Sequence, residues 1–165
     1  MTPELHRPIT LARIGPNGLE VEVNASVCEC SAMAQRMKLA AIATLSCQFR
    51  LAWDNDGTLI AHGHLLADVV QTCVVSLEDF AARVEERFTV RCVPEGKQSA
   101  DFDPEALDEV TYADGTLDLG EAAAEQLALA LDPYPRAPGT PDNSDHLDGS
   151  EVQPFASLAL LRHRH

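Results

Sequence analysis

The residues best suited to chemistry in this sequence are five cysteines and two closely spaced histidines. Cys28 and Cys30 are separated by one residue, and so are His62 and His64. Structural zinc sites are built from thiolates and imidazoles, as a rule from two close pairs that together supply four ligands. The four residues could form one such site, although no second close cysteine pair follows. We expect instead a loop leading into a helix, two surface or interface histidines on a strand, and no metal or cofactor.

The other cysteines, Cys47, Cys73 and Cys92, fall within runs that alternate between apolar and polar residues. A free cysteine in such a place behaves as a small hydrophobic residue, so we expect structural roles. A nucleophilic cysteine needs a helix N-terminus or a cationic neighbour. Only Cys30, just before the predicted helix cap Ser31, is placed for that, and it has no evident base partner. The phosphate-binding loop, nucleophile elbow and zinc-protease motifs are absent, which indicates that the chain is not an enzyme.

A group of five acidic residues could hold a hard cation loosely through carboxylate oxygens. The glycine spacing of a calcium-binding helix-loop-helix is absent, so we expect these residues to belong to a solvated acidic loop, and residues 95–106 have loop composition. The five residues are Asp101, Asp103, Glu105, Asp108 and Glu109.

The formal net charge is −14, and it is unevenly distributed. Residues 101–150 hold thirteen acidic side chains and one basic side chain, a net charge of −12. Nucleic-acid binding needs clustered lysine and arginine, whereas an acidic surface attracts basic proteins. The composition therefore favours a basic protein partner, with solubility alone as the alternative. A local basic face could still form from Arg7, Arg13, Arg36, Lys38 and Arg50.

The N-terminal residues lack the basic start and apolar core of a secretory signal, and no run of eighteen apolar residues occurs. An odd number of cysteines without such a signal is typical of reduced thiols. We therefore expect a cytoplasmic location and no membrane association.

Hydrophobic periodicity predicts the elements that must position these residues. A helix is predicted at 31–45 with Ser31 as its N-cap, and a second helix begins at Asp118 and stops at Asp132-Pro133. The turn at 54–57 joins two strands of a hairpin, and Asp68 is predicted to bend the chain. The predicted strands are residues 9–14, 19–24, 47–53, 58–67, 69–75, 84–93 and 110–112.

These elements predict an α+β fold with an antiparallel, barrel-like sheet, two packed helices and a disordered acidic C-terminal tail. The expected organisation is a domain at 1–136, a disordered linker at 137–153 and a short apolar and basic segment at 154–165. That last segment, which begins PFASLALL, either docks on the domain edge or binds a partner.

Two stretches together resemble the YceD family, whose members are named for accumulation of the large ribosomal subunit RNA. They are VQTCVVSLE at 70–78 and DLGEAAAEQLALALDPYPRAPG at 118–139. The α-proteobacterial branch is the most similar, and the likeness spans roughly 5–140 and the closing PFASLALL. Some family members carry C-x-x-C-L-E where this chain has Cys73 and Ser76, so a metal site does not carry over.

The resemblance implies a non-catalytic factor that supports the synthesis, processing or stability of 23S rRNA during large-subunit biogenesis. The family's genes commonly lie beside a gene for a large-subunit ribosomal protein. The expected partners are therefore large-subunit ribosomal proteins or the pre-50S particle, with RNA contact indirect and no small-molecule substrate. The alternatives are an acidic adaptor unrelated to ribosomes and a Cys/His metal- or redox-dependent protein.

We expect the partner surface to lie on the two quoted stretches. Prolines hold the second stretch extended, and tyrosine and arginine are good interface anchors. The alternative is that DPYPR folds back and clamps the domain, with Tyr134 buried. The candidate residues are Cys73, Leu77, Glu78, Glu121, Glu125, Gln126, Asp132, Pro133, Tyr134, Pro135 and Arg136.

Overall fold

The computed structural model describes residues 4–97 and 107–140 and gives the predicted α+β class. The expected acidic loop, from residue 98 to 106, and the chain after residue 140 lie outside these described residues. A short 3-10 helix at Leu11–Arg13 replaces the second half of the strand predicted at 9–14. The elements are β1 Pro8–Thr10, β2 Leu19–Asn24, α1 Val27–Met37, β3 Ala41–Trp53, β4 Leu59–Thr72, β5 Asp79–Pro94, β6 Asp108–Tyr112, β7 Thr116–Asp118 and α2 Leu119–Ala130.

The main sheet has the strand order β2-β3-β4-β5-β6, and β1 pairs with β7 in a separate two-stranded sheet. Neighbouring strands from β2 to β5 are antiparallel, and β6 runs parallel to β5. Within the described residues β2 and β6 are the edges and do not pair, so the sheet is open. This corrects the expectation of a barrel-like sheet. The edge strands have six and five residues, against 13 to 16 in the inner three. Strands this short offer few backbone groups for the pairing between β2 and β6 that would close a barrel.

The strand β4 is continuous through Asp68, where a bend between two strands was predicted. Its buried residues alternate from Leu59 to Gln71, and the chain passes Asp68 without a break. The Asp68 carboxylate points away from the core and accepts a hydrogen bond from Thr44 Oγ1 at 2.9 Å. Asp68 therefore has a hydrogen-bond partner without any bend in the strand. The irregularity lies instead in β3, between Ile42 and Thr44.

The helix α1 begins and ends earlier than predicted. Its N-cap is Ser26, which forms a capping box with Glu29, and not Ser31. It ends at Met37 because Lys38 adopts a left-handed conformation with φ of 57°, and β3 begins three residues later. The apolar residues after position 40 therefore alternate in a strand and do not continue the helical stripe.

The start of α2 is as predicted, since the Asp118 side chain accepts hydrogen bonds from the amides of Gly120 and Glu121. The helix buries Ala122, Ala123 and Leu127 in the core that it shares with the sheet. It ends ahead of Asp132-Pro133, as expected. No helix within residues 4–97 and 107–140 has the length and apolar character needed to cross a bilayer.

The core lies between the two helices and one face of the main sheet. It is largely aliphatic, and its one aromatic pair is Phe49 and Phe88, which meet edge to face with ring centroids 5.8 Å apart. The Phe88 ring rests over Gly63, where an added Cβ would lie 2.0 Å from Phe88 Cζ. A side chain at this position of β4 would displace the ring from the core.

Candidate partner-binding surface

The first quoted stretch forms the connection between β4 and β5, which we call the turn (residues 73–78). The Cys73 amide donates to the Glu78 carbonyl and the Leu77 amide to the Cys73 carbonyl, both at 2.9 Å. Leu77 adopts a left-handed conformation with φ of 60°, which is uncommon for a residue with a large side chain. The strand predicted at 69–75 therefore stops at Thr72, and the motif continues as a turn.

The second quoted stretch leaves α2 and returns along the turn, and we call residues 132–140 the strap. The Val74 amide donates to the Pro135 carbonyl at 2.9 Å, so the strap and the turn are hydrogen-bonded to each other. The segment thus folds back, as one alternative held, while Tyr134 stays 74 % exposed. The fold brings the two stretches together although Val74 and Pro135 are 61 positions apart in the chain.

The Cys73 sulfur is a second link between the turn and the strap. Its side chain has no exposed surface, and the Ser76 amide donates to Sγ at 3.4 Å. The Thr140 hydroxyl lies 3.7 Å from the same sulfur. Hydrogen bonds from the Ser76 side chain, then from the Ser76 and Ala137 amides, lower the pKa of the Cys73 thiol to about 6. Cys73 is therefore a buried polar acceptor, not the small hydrophobic residue that was expected.

The remaining buried cysteines do have an apolar environment. Burial raises the pKa of Cys47 and of Cys92 to about 12. Burial, with a smaller contribution from the Glu29 charge, also raises the pKa of Cys30. A raised pKa disfavours the thiolate, so the position of Cys30 near a helix start does not make it a nucleophile.

Four large apolar side chains are exposed on the turn and the strap. The exposed fraction is 45 % for Val74, 49 % for Val75, 77 % for Leu77 and 74 % for Tyr134. Single exposed apolar residues are ordinary, but a contiguous group marks an interaction surface. Sequence reasoning missed both valines because it placed them in a buried strand. The two consecutive valines interrupt the alternation, which is the signal that could have revealed them.

The turn and the strap also carry the polar and proline candidates. Glu78, Asp132, Pro133 and Arg136 are exposed, whereas Pro135 is half-buried. Tyr134 is held in place by its amide, which donates to the Asp132 carboxylate at 2.8 Å. The result is an apolar centre with two carboxylates and one guanidinium beside it.

The three candidates on α2 have other surroundings. Glu121 is half-buried and pairs with Arg36 at 2.6 Å, which joins α2 to α1. Gln126 is 7 % exposed, so little of it is available to a partner. Glu125 is exposed on the helix surface. Of the three, only Glu125 presents its side chain to solvent.

A groove of about 470 Å³ lies beside the strap, where the ends of both helices meet β4. Its apolar floor comes from Met37, Leu39 and Leu131 together with strap prolines, and Lys38 lies at its edge. Sequence reasoning missed this groove because the helix was predicted to run through residues 37–39. The early left-handed end of α1 is what opens the groove.

The four metal-site candidates are not brought together. Cys28 is exposed and Cys30 is buried, since residues two apart point to different sides of a helix. His62 Nδ1 lies 2.9 Å from Thr89 Oγ1, and His64 Nε2 lies 2.9 Å from Glu85 Oε1. Among the described residues no group of three or more potential ligands is close enough to hold a metal ion.

The basic residues that could have formed a local basic face, and the acidic residues that could have held a cation, are not gathered into single sites within the described residues. Arg7 binds Glu29 at 2.7 Å, and Arg36 binds carboxylates at 2.6 and 2.8 Å, so neither belongs to an open basic face with Arg50. Of the acidic group, Glu109 on β6 pairs with Arg91, while Asp101, Asp103 and Glu105 lie outside the described residues.

A family model described as "Large ribosomal RNA subunit accumulation protein YceD" matches residues 61–161, more than half of the chain. The matched region includes the turn, α2 and the strap. No curated protein and no solved structure gave a significant match. The match identifies the family and leaves the α-proteobacterial branch a prediction.

Proposed function

Because this chain belongs to the YceD family, we propose that it is a non-catalytic factor in biogenesis of the large ribosomal subunit. The family description ties it to accumulation of the large-subunit RNA. The finer proposal is that it supports 23S rRNA synthesis, processing or stability in the cytoplasm through contacts with a large-subunit ribosomal protein or the pre-50S particle.

The observation that carries the proposal is the exposed apolar group on the turn and the strap, set in an acidic protein. Leu77 and Tyr134 extend furthest into solvent, with Glu78 and Asp132 beside them. An aromatic or aliphatic anchor with a polar rim is the usual composition of a protein interface. Ribosomal proteins are basic, and carboxylates at the rim increase the rate at which a basic partner associates.

The geometry of this surface also favours binding because it is formed in advance. The turn and the strap are joined through Val74 and Pro135 and through the Cys73 sulfur. Prolines at 133 and 135 restrict the strap further. A surface that is already ordered loses less conformational entropy when a partner docks on it.

The test is a pull-down from lysate at about physiological salt, with and without ribonuclease, using the double variant L77N/Y134S. Asparagine tolerates the left-handed conformation of residue 77, so this change keeps the turn. We expect the wild type to capture large-subunit proteins even after ribonuclease treatment, and we expect the captured amount to be at least tenfold lower with the variant. The matched control is V27S/L107S, which removes two exposed apolar side chains elsewhere and should capture as much as the wild type.

Loss of all ribosomal proteins on ribonuclease treatment would contradict the protein-contact mechanism and indicate RNA as the tether. Capture of a basic protein with no cosedimentation of the chain with pre-50S particles would favour the alternative, an acidic adaptor unrelated to ribosomes. Equal capture by L77N/Y134S and the wild type would exclude the turn and the strap as the partner surface.

A further inference from the structure

The face of the main sheet opposite the core is open and hollow. In the described part of the chain no helix covers it, because both helices pack on the other face. The hollow measures about 640 Å³ and spans β2 to β5. His62 and His64 lie at its centre on β4, and both point into it because alternate residues of a strand share a face.

Strand register places two arginines directly beside these histidines. Arg50 on β3 is opposite His62, and Arg87 on β5 is opposite His64. Side chains opposite each other on neighbouring strands have Cβ atoms roughly 5 Å apart. Two guanidinium groups and two imidazole rings therefore occupy one small area of a protein whose net charge is −14.

These two arginines differ from the arginines that internal carboxylates hold. Arg7, Arg36 and Arg91 each bind a carboxylate. Like Arg13 and Arg83, Arg50 and Arg87 form no hydrogen bond or ion pair with another residue in the described ranges 4–97 and 107–140, and both are exposed. Only Arg50 and Arg87 of these four lie in the hollow, where Glu20 is directly opposite Arg50. The hydrogen bond with His64, with smaller contributions from nearby charges that include Arg87, lowers the pKa of Glu85. Guanidinium groups that make no internal bonds keep their planar donor fork available for a ligand oxyanion.

Carboxylates also line the hollow, and they limit which ligands could bind there. Glu20 and Glu22 project from β2, with Glu20 directly opposite Arg50, and Glu85 on the neighbouring strand β5 binds His64. An acidic peptide would gain from the arginines and be repelled by the glutamates. A nucleotide can bind both kinds of side chain. Its phosphate is an anion that pairs with an arginine, and its base edge carries amino or imino groups that donate to a carboxylate. Exposed bases also stack on imidazole and guanidinium planes.

We propose that this hollow binds a short single-stranded RNA segment of two or three nucleotides. Arg50 and Arg87 contact phosphates, the imidazole planes of His62 and His64 stack bases, and the β2 carboxylates accept from base edges. The proposal goes beyond the function proposed above, which rests on protein contacts through the turn and the strap. His64 and Cys73 are nine positions apart, with the last eight residues of β4 between them, which corresponds to about 30 Å along the strand.

The acidic charge of the whole chain does not prevent this binding. At physiological ionic strength the Debye length is about 8 Å, so exposed carboxylates farther away are largely screened. The charges that decide the interaction are those inside the hollow. With two phosphates neutralised on a single strand, the slope of log K against log salt should be roughly −1.4.

The test is fluorescence anisotropy of a labelled 12-nucleotide single-stranded RNA of mixed sequence, titrated with the full chain. We expect saturable binding that weakens at least tenfold in R50Q/R87Q, whose salt slope should approach zero. H62Q/H64Q should weaken binding several-fold without changing the slope. The matched control R13Q/K97Q removes two exposed cationic side chains outside the hollow and should bind as the wild type does.

Equal binding by R50Q/R87Q and R13Q/K97Q would overturn the proposal, as would the absence of saturable binding by the wild type. A polyglutamate peptide of equal charge that bound as tightly would overturn the assignment to RNA, and an RNA duplex that did so would overturn the single-strand assignment. Thermal melting verifies that each variant is folded. R50Q/R87Q should still capture ribosomal proteins through the turn and the strap, so the two proposals fail separately.

Discussion

At the scale of the residue, Cys73 shows how one side chain can join two distant stretches. Its sulfur accepts from the Ser76 amide at 3.4 Å and lies 3.7 Å from the Thr140 hydroxyl, so it connects the turn to the strap. In this chain the Ser76 amide donates to the Cys73 sulfur, and the Ser76 hydroxyl accepts from the Glu78 amide at 3.4 Å.

We predict that Cys73→Ala loosens the strap without unfolding the domain. The change removes the common acceptor of donors in the turn and the strap. Hydrogen exchange at the Val74 and Ala137 amides should become at least tenfold faster. Cys47→Ala, which removes a buried sulfur in an apolar setting, serves as control and should leave exchange in the strap unchanged. Unchanged exchange at Ala137 in Cys73→Ala would contradict the link.

The same contact should strengthen with pH. The folded pKa of Cys73 is about 6, below the ordinary value of 9.0, so the thiolate's stabilisation is fully present above pH 9 and is lost as the pH falls through 6. Protection of the Ala137 amide, corrected for intrinsic exchange, should therefore increase between pH 5.5 and 8 in the wild type. In Cys73→Ala this increase should be absent.

At the scale of the element, the contact of α2 with the N-terminal segment depends on Gly120. An added Cβ there would lie 2.3 Å from the Leu5 carbonyl oxygen, and backbone atoms on both sides leave little room to move. This close approach lets the Leu119 amide donate to the Arg7 carbonyl at 3.1 Å. The first turn of the helix is thereby held against the chain that leads into β1.

We predict that Gly120→Ala destabilises the protein by about 1–3 kcal/mol, as overpacking of a filled site does. Alanine has the higher helix propensity, which by itself would stabilise the protein by about 1 kcal/mol. A net loss of stability would therefore support the close contact, and a net gain would contradict it. Urea denaturation measures the change. Gly15→Ala is the matched control, because nothing lies within 4 Å of its added Cβ, and its stability should stay near that of the wild type.

Element boundaries were the part of the fold that the sequence predicted least well. The helix α1 was placed late because Met33, Met37, Ala40 and Ala41 share helical spacing. The capping box at Ser26 and the left-handed Lys38 decide the true ends, and both depend on local hydrogen bonds that hydrophobic spacing does not encode. By contrast, the hairpin of β3 and β4 was predicted correctly because strict alternation and the turn at 54–57 agree.

At the scale of the whole molecule, an ion pair ties the N-terminal segment to α1. Arg7 binds both carboxylate oxygens of Glu29, at 2.7 and 3.0 Å. This contact, with smaller contributions from the Ser26 amide, lowers the pKa of Glu29 to about 2. The pair therefore fixes the N-terminal segment to α1, although the two residues are 22 positions apart in the chain.

We predict that the stability of the whole domain falls with acid partly through this pair. The folded pKa of Glu29 is below its unfolded value of 4.5, so the stabilisation is present above pH 4.5 and is lost as the pH falls to about 2. Glu29→Gln keeps the capping box and removes the charge. After allowance for solvent screening, it should cost about 1–2 kcal/mol at pH 7 and almost nothing at pH 2.

Thermal melting at pH 7, 4 and 2.5 measures this difference. The control Glu95→Gln changes an exposed carboxylate and should melt with the wild type at each pH. A constant gap between Glu29→Gln and the wild type from pH 7 to 2.5 would show that the effect is not the ionised pair.

The α+β class, the alternating strands around the hairpin and the N-cap of α2 at Asp118 could be determined from the sequence by itself, because each depends on neighbours within a few positions. The family could be identified as well, since its two stretches are contiguous motifs. Only the tertiary structure decided that the turn and the strap meet, that Gln126 is buried while Val74 and Val75 are exposed, and that Arg50 and Arg87 flank two histidines. Those relations depend on strand register and on packing between residues distant in the chain, and local propensity does not specify either.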